Sequence, residues 1–184
     1  GSSIRVGNLD EHHNFIFSFE NNYQADSNDE TLEVLLYHIC SEVSKFFING
    51  SHSSEIIRGV LKLDKLFPGF TFDDFVFDPC GYSLNGINGS DYMTIHITPE
   101  ESISYVSLET NIGAKFIKNL LLFVNIFNPK SFDIISFNNM MSDCNYDDYL
   151  LTQNASYQLD SGYDLCFNQY ININLSNQKI HLLT

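Results

Sequence analysis

The stretch FDPCGYSLNGINGSDYMTIHITPEESISYVSLE, residues 77–109, decides how the chain folds. Within it GYSLNGI, DYMTIHIT and SISYVSLET alternate branched or aromatic residues with polar ones, the period of two expected of half-buried strands. Turn chemistry separates the runs: Asn85-Gly86 and Asn88-Gly89-Ser90 tolerate the positive φ that tight hairpins demand. The run FDDFVFD just upstream extends the series to four consecutive antiparallel strands. If GYSLNGI and DYMTIHIT form a hairpin around Gly86 to Ser90, Ser83 and His96 lie across from one another, close enough to share a site.

Outward from this core, helical signals flank the strands. Residues 113–127 carry Ile117, Leu120, Leu121, Val124 and Ile126 on one face and end at Asn128-Pro129, predicting a helix. Upstream, SSEIIRGVLKLDKLF predicts a shorter helix ending before Pro68-Gly69. Leu32, Leu35, Leu36, Ile39, Val43 and Phe46 recur at spacings of three and four, predicting a helix from about Glu30 to Ile48 capped by Asp29 or Asn28. HNFIFSF before it, with FDIISF and YDLCFNQYININL near the end, read as strands. The order is α+β: helices on one face of an antiparallel sheet. No linker or short repeat divides the chain, so residues 1–184 read as one domain.

Composition narrows the function classes. A net charge of −14, from nine basic and twenty-three acidic residues, argues against a nucleic-acid or anionic-membrane surface, because phosphate is neutralised by Lys and Arg. Sixteen Phe and ten Tyr with no Trp, scattered in short runs, favour a sheet over a bundle. The four Cys, at 40, 80, 144 and 166, form no CxxC pair, which predicts reduced thiols and a cytoplasmic setting. No apolar run reaches the roughly 20 residues of a membrane span. The histidines show no metal-ligand spacing, and no metal is expected. The opening Gly1-Ser2 resembles a tag remnant, so the natural protein is expected to be longer.

Taken together, FDPCGYSLNG and TIHITPE followed by SYVSLE resemble the eukaryotic-type S-adenosylmethionine decarboxylases in motif order and spacing, over more than thirty residues. The rest of the chain aligns with the second structural half of that family. The resemblance implies a four-layer αββα sandwich, of which this chain is one half. It also implies a pyruvoyl group, made from an internal serine, as the electron sink for decarboxylation. The product is the aminopropyl donor for spermidine and spermine synthesis.

By the same resemblance Ser83 and His96 act in self-processing, the hydroxyl donating to an oxyanion and the imidazole removing a proton near neutrality. Phe77 and Glu100 hold the substrate, stacking on adenine and accepting the ribose hydroxyls. Glu20 and Glu109 correspond to acidic residues of a putrescine site. Cys80 has no catalytic assignment, and TQNAS at 152–156 lacks the Glu-Ser of a processing site. Nothing before Phe77 resembles the serine that becomes the cofactor, so the isolated chain is expected to be inactive. The expected partners are S-adenosylmethionine, the missing N-terminal half, putrescine, and a second copy covering the open sheet face. The alternative is a non-catalytic paralogue that activates a decarboxylase, but retention of Ser83, His96, Phe77 and Glu100 favours a piece of an enzyme.

Overall fold

The computed structural model describes residues 1–10, 13–19, 24–48, 52–138 and 146–174. In chain order the elements are β1 (Ser2–Val6), β2 (Asn14–Ser18), β3 (Thr31–Tyr37), α1 (Ser41–Ile48), α2 (Ser54–Val60) and α3 (Leu63–Leu66). There follow β4 (Thr71–Val76), β5 (Tyr82–Asn88), β6 (Asp91–Thr98), β7 (Tyr105–Thr110), α4 (Gly113–Phe127), β8 (Ser131–Phe137), β9 (Tyr149–Gln158) and β10 (Asp164–Asn172). Eight strands form one sheet in the order β4-β5-β6-β7-β3-β8-β10-β9, and β1 pairs with β2 in a separate hairpin. Every neighbouring pair is antiparallel. The α+β class expected from the sequence is therefore the class observed.

The four predicted strands from Phe70 to Glu109 appear in sequence order as β4 to β7, and the predicted helix over 113–127 is α4. β5 and β6 are joined through the two residues Gly89 and Ser90, with Gly89 at φ 64° supplying the left-handed turn. The helix predicted upstream of Pro68 is interrupted at Lys62, whose φ of 54° separates α2 from α3.

The predicted helix from Glu30 to Ile48 is corrected. Its first half is the strand β3, a left-handed His38 at φ 54° turns the chain, and only Ser41–Ile48 is helical. Asp29 caps no helix; its carboxylate accepts from the Tyr163 hydroxyl at 2.6 Å. The physical reason is position. β3 lies between β7 and β8 with Leu32, Val34 and Leu36 buried on one face and Leu35 on the other. A strand covered on both faces loses its polar alternation, and Leu32, Leu35 and Leu36 then imitate helical spacing.

The two faces of the sheet have different coverings. All four helices back one face, where Phe67 stacks on Phe116 at 5.0 Å and the ladder continues through Phe123 and Phe127. On the other face β1 and β2 cover the region of β3, β8 and β10. There Val6 and Ile16 pack with Leu35, Ile135, Leu165 and Phe167 in a second, smaller core. Asn14 of the hairpin donates to Asp133 on β8 at 2.9 Å, which ties the hairpin down. Tyr105 of β7 still packs against this core, while Phe75 of β4, Ile87 of β5 and His96 of β6 are exposed on the same, open side beyond it.

Candidate active site

Four aligned strands build the site on this open face. Phe75 of β4 pairs with Ser83 of β5, Ser83 with His96 of β6, and His96 with Ser107 of β7. Residues facing each other in one row point to the same side of the sheet. The helix-facing residues between them, Tyr82, Leu84, Ile95 and Ile97, are buried, so alternation leaves Ser83 half-buried and His96 exposed to the opposite side. The expected Ser83–His96 approach is realised as a hydrogen bond, Oγ to Nδ1 at 2.8 Å. The imidazole has a second neighbour, Thr94 Oγ1, 3.3 Å from Nε2. One ring nitrogen and one hydroxyl thus meet on each side of an exposed histidine, an arrangement able to donate a hydrogen bond and accept a proton at adjacent atoms.

Ser83 is held from behind. The neighbouring Tyr82 turns into the helix face, where its hydroxyl donates to Asp74 Oδ2 at 2.6 Å. Arg58 of α2 donates to both Asp74 oxygens, Nε at 2.9 Å and Nη2 at 2.6 Å, a two-point pairing that welds helix to sheet edge. Hydrogen bonding from Arg58 holds the Asp74 carboxyl below the usual carboxylate range, while burial pushes the Tyr82 hydroxyl up.

Phe77 follows β4 and is 45% exposed, a large apolar ring left in water. Its ring meets that of Phe75 edge-on, centroids 4.9 Å apart and planes at 69°. Its N–H donates to the Gly81 carbonyl at 3.0 Å. Gly81 has a φ of 116°, a conformation that side-chain-bearing residues rarely adopt, so this turn calls for glycine. Glu100 is exposed in the loop between β6 and β7, at the same end of the sheet as Phe77 with the entry of β5 between them. That loop is pinned at both ends: Ser44 of α1 donates to the Pro99 carbonyl at 2.8 Å, and the His38 N–H donates to the Ser104 carbonyl at 2.8 Å. A carboxylate on a loop pinned at both ends and an exposed aromatic ring therefore share one rim, with the hydroxyl and imidazole further along the sheet.

A second polar group lies one row away. Glu109 pairs in register with Glu33 of β3 on one side and Thr94 of β6 on the other. The Tyr92 hydroxyl donates to Glu109 Oε1 at 2.8 Å. Burial, and then the nearby Glu109 charge, push the Glu33 carboxyl up. Two carboxylates on adjacent strands without an intervening cation repel, and an added cation relieves the repulsion. Glu20, the other acidic candidate, lies outside the described residues. Cys80 is half-buried in the loop between β4 and β5.

Sequence reasoning passed over three residues that the fold brings to these groups. Thr94 and Phe75 each stand two residues before a singled-out residue, and in a strand that spacing alone places them on the same face. Glu33 was hidden by the helical reading; as part of a strand it is the polar residue between buried Leu32 and Val34.

A family model described as adenosylmethionine decarboxylase matches residues 1–174. The chain is 39% identical over 133 residues to the S-adenosylmethionine decarboxylase proenzyme of Drosophila melanogaster, covering 69% of this chain and 37% of that protein. It is 31% identical over 200 residues to the corresponding proenzyme of Dictyostelium discoideum, covering 98% of this chain and 52% of that protein. The chain thus spans about half, or less, of the length of these relatives. The crystal structure of the Trypanosoma brucei AdoMetDC-delta26 monomer superposes with a TM-score of 0.67 at 24% identity, over 93% of this chain and 72% of that one, which supports the same fold. With its motif order, its sheet and nearly its whole length matched, this chain belongs to the adenosylmethionine decarboxylase family.

Proposed function

We propose that the chain is the C-terminal half of an enzyme that decarboxylates S-adenosylmethionine to supply the aminopropyl donor of spermidine and spermine synthesis. The observation that carries this reading is the Ser83–His96 hydrogen bond of 2.8 Å on the uncovered sheet face, within the motifs shared with the family.

In this reading Phe77 offers a ring face to the adenine, and Glu100 accepts hydrogen bonds from the ribose hydroxyls. Ser83 donates its hydroxyl hydrogen to an oxyanion brought to the face from the other half, and His96 accepts a proton there. The residues fit a pyruvoyl group made by self-processing, because that chemistry calls for an oxyanion donor beside a base. When present, the pyruvoyl carbonyl supplies the electron sink for loss of the carboxyl group. Its precursor serine belongs to the N-terminal half, which also covers the open face. Without that half a second copy of this chain covers it instead. Glu109, with Glu33, binds a diamine of the putrescine class.

The test is release of labelled carbon dioxide from carboxyl-labelled S-adenosylmethionine. The 184-residue chain alone is expected to release none. A longer form carrying the N-terminal half is expected to be active and to lose self-cleavage with His96→Ala. Activity of the isolated chain would overturn the division of labour, and an inactive but intact longer form would favour a regulatory paralogue.

A further inference from the structure

Phe75 is an aromatic residue that the fold does not call for. On the open side of β4 its companions are the exposed polar residues Thr71 and Asp73, and Phe75 belongs to neither hydrophobic core. Its ring instead meets Phe77 edge-on, centroids 4.9 Å apart and planes at 69°, the geometry that the aromatic quadrupole favours. The two rings are held differently. Phe75 stands inside β4 and pairs with Ser83, so the sheet sets the direction of its side chain. Phe77 comes after the last residue of β4, and among the described residues Phe75 supplies its only ring contact.

We propose that Phe75 is a positioning residue for nucleoside binding, its strand-held ring fixing the rotamer of the loop-held Phe77. The inference rests on the proposed function, because Phe77 is the ring assigned there to adenine. An exposed phenylalanine outside a strand exchanges among staggered rotamers, and a stacking ligand has to pay for selecting one of them. A neighbouring ring that already selects it removes that cost before the ligand arrives. Phe75 also stands directly across from Ser83, so the same side chain ties the nucleoside end of the site to the row that carries Ser83 and His96.

The test is adenosine binding to the 184-residue chain, followed by ligand-observed NMR at dilutions where the chain is monomeric. Phe75→Leu is expected to weaken binding about fivefold, the effect of losing one edge-to-face pair. It is also expected to reduce the upfield ring-current shifts of adenine H2 and H8 at saturation, because a ring that wanders stacks less uniformly. Phe75→Tyr keeps the ring and is expected to retain both. Ile87 is the control, since it is as exposed as Phe75, at 61%, on the same side of the neighbouring strand β5. Ile87→Ser removes apolar surface without touching the ring pair and should leave affinity and shifts unchanged. Unaltered affinity and shifts in Phe75→Leu, or an equal loss in Ile87→Ser, overturn the assignment. A melting temperature lowered together with affinity makes Phe75 a structural residue and overturns it as well. Binding that ignores Phe75 but is lost in Phe77→Leu removes only the positioning role, whereas no adenosine binding by the unmodified chain removes the nucleoside reading itself.

Discussion

The helix-backed face and the open face of the eight-stranded sheet are built from the same strands, yet they do different work. Along β6, Met93, Ile95 and Ile97 are buried under the helices, while Thr94, His96 and Thr98 alternate with them on the other side. Strand geometry alone makes this division: one residue in two anchors the fold and the next is free to carry chemistry. The difference teaches that burial and exposure are set apart here by a single-residue offset. A one-residue slip in the β5–β6 register would send His96 into the aromatic core.

The largest expected effect breaks the helix-backed side. Phe116 is fully buried between Phe67 and Phe123, and Phe116→Ala is expected to lower the unfolding free energy by about 4 kcal/mol in urea titrations. On the open face Phe75 is 61% exposed in the single chain, and at dilutions where the chain is monomeric Phe75→Ala is expected to stay within about 0.5 kcal/mol of the unmodified chain. Equal losses at the two positions would mean that the open face is covered in solution, as in a dimer.

The clamp behind Ser83 comes next. Asp74→Asn is expected to cost about 2 kcal/mol, the scale of hydrogen bonds to a charged group. Because Asp74 binds its proton less readily in the folded chain, its contribution is present above pH 3.8 and is lost as the pH falls through the lower folded value. Denaturation curves of the two proteins should therefore converge in acid.

On the rim, Phe77→Leu and Glu100→Gln are each expected to weaken adenosine binding about tenfold, as the loss of a stacking face or of a charged acceptor implies. Neither should move the unfolding midpoint, and ligand-observed NMR with thermal melts checks both halves of the statement. A drop in stability would place these residues with the core.

The smallest expected effect is at Glu33. Its raised pKa means that ionisation is resisted by the fold, so the penalty is absent below pH 4.5 and grows as the pH rises through the folded value. Glu33→Gln should raise the melting temperature slightly at pH 7 and leave it unchanged at lower pH. A four-carbon diamine should raise the melting temperature of the unmodified chain more than that of Glu33→Gln. An equal response in both would separate this pair from cation binding.

Half-buried strands announced themselves. From Phe70 to Glu109 the alternation of apolar and polar residues survived into β4 to β7, and with it the facing of Ser83 and His96. Strands with other coverings did not. β3 imitated a helix because both of its faces are packed, and β9, at the sheet edge, carries Thr, Gln, Asn and Ser that conceal its period. The hairpin strand β1 was invisible because Ser2 to Val6 has nothing around it in sequence that names a partner, although Ser2 and Ser18 approach at 2.8 Å between hydroxyl oxygens.

By itself the sequence determined the fold class, the family motifs and the facing of Ser83 and His96, because turn residues and period-two alternation are local and leave their mark on neighbouring positions. Tertiary structure alone decided that β3 is a strand and that the hairpin covers one end of the open face but spares the other. It also decided that Thr94 and Ser83 flank one imidazole while Glu33 confronts Glu109. Those outcomes depend on which strands lie side by side, and pairing across a sheet is set by packing between segments far apart in the chain.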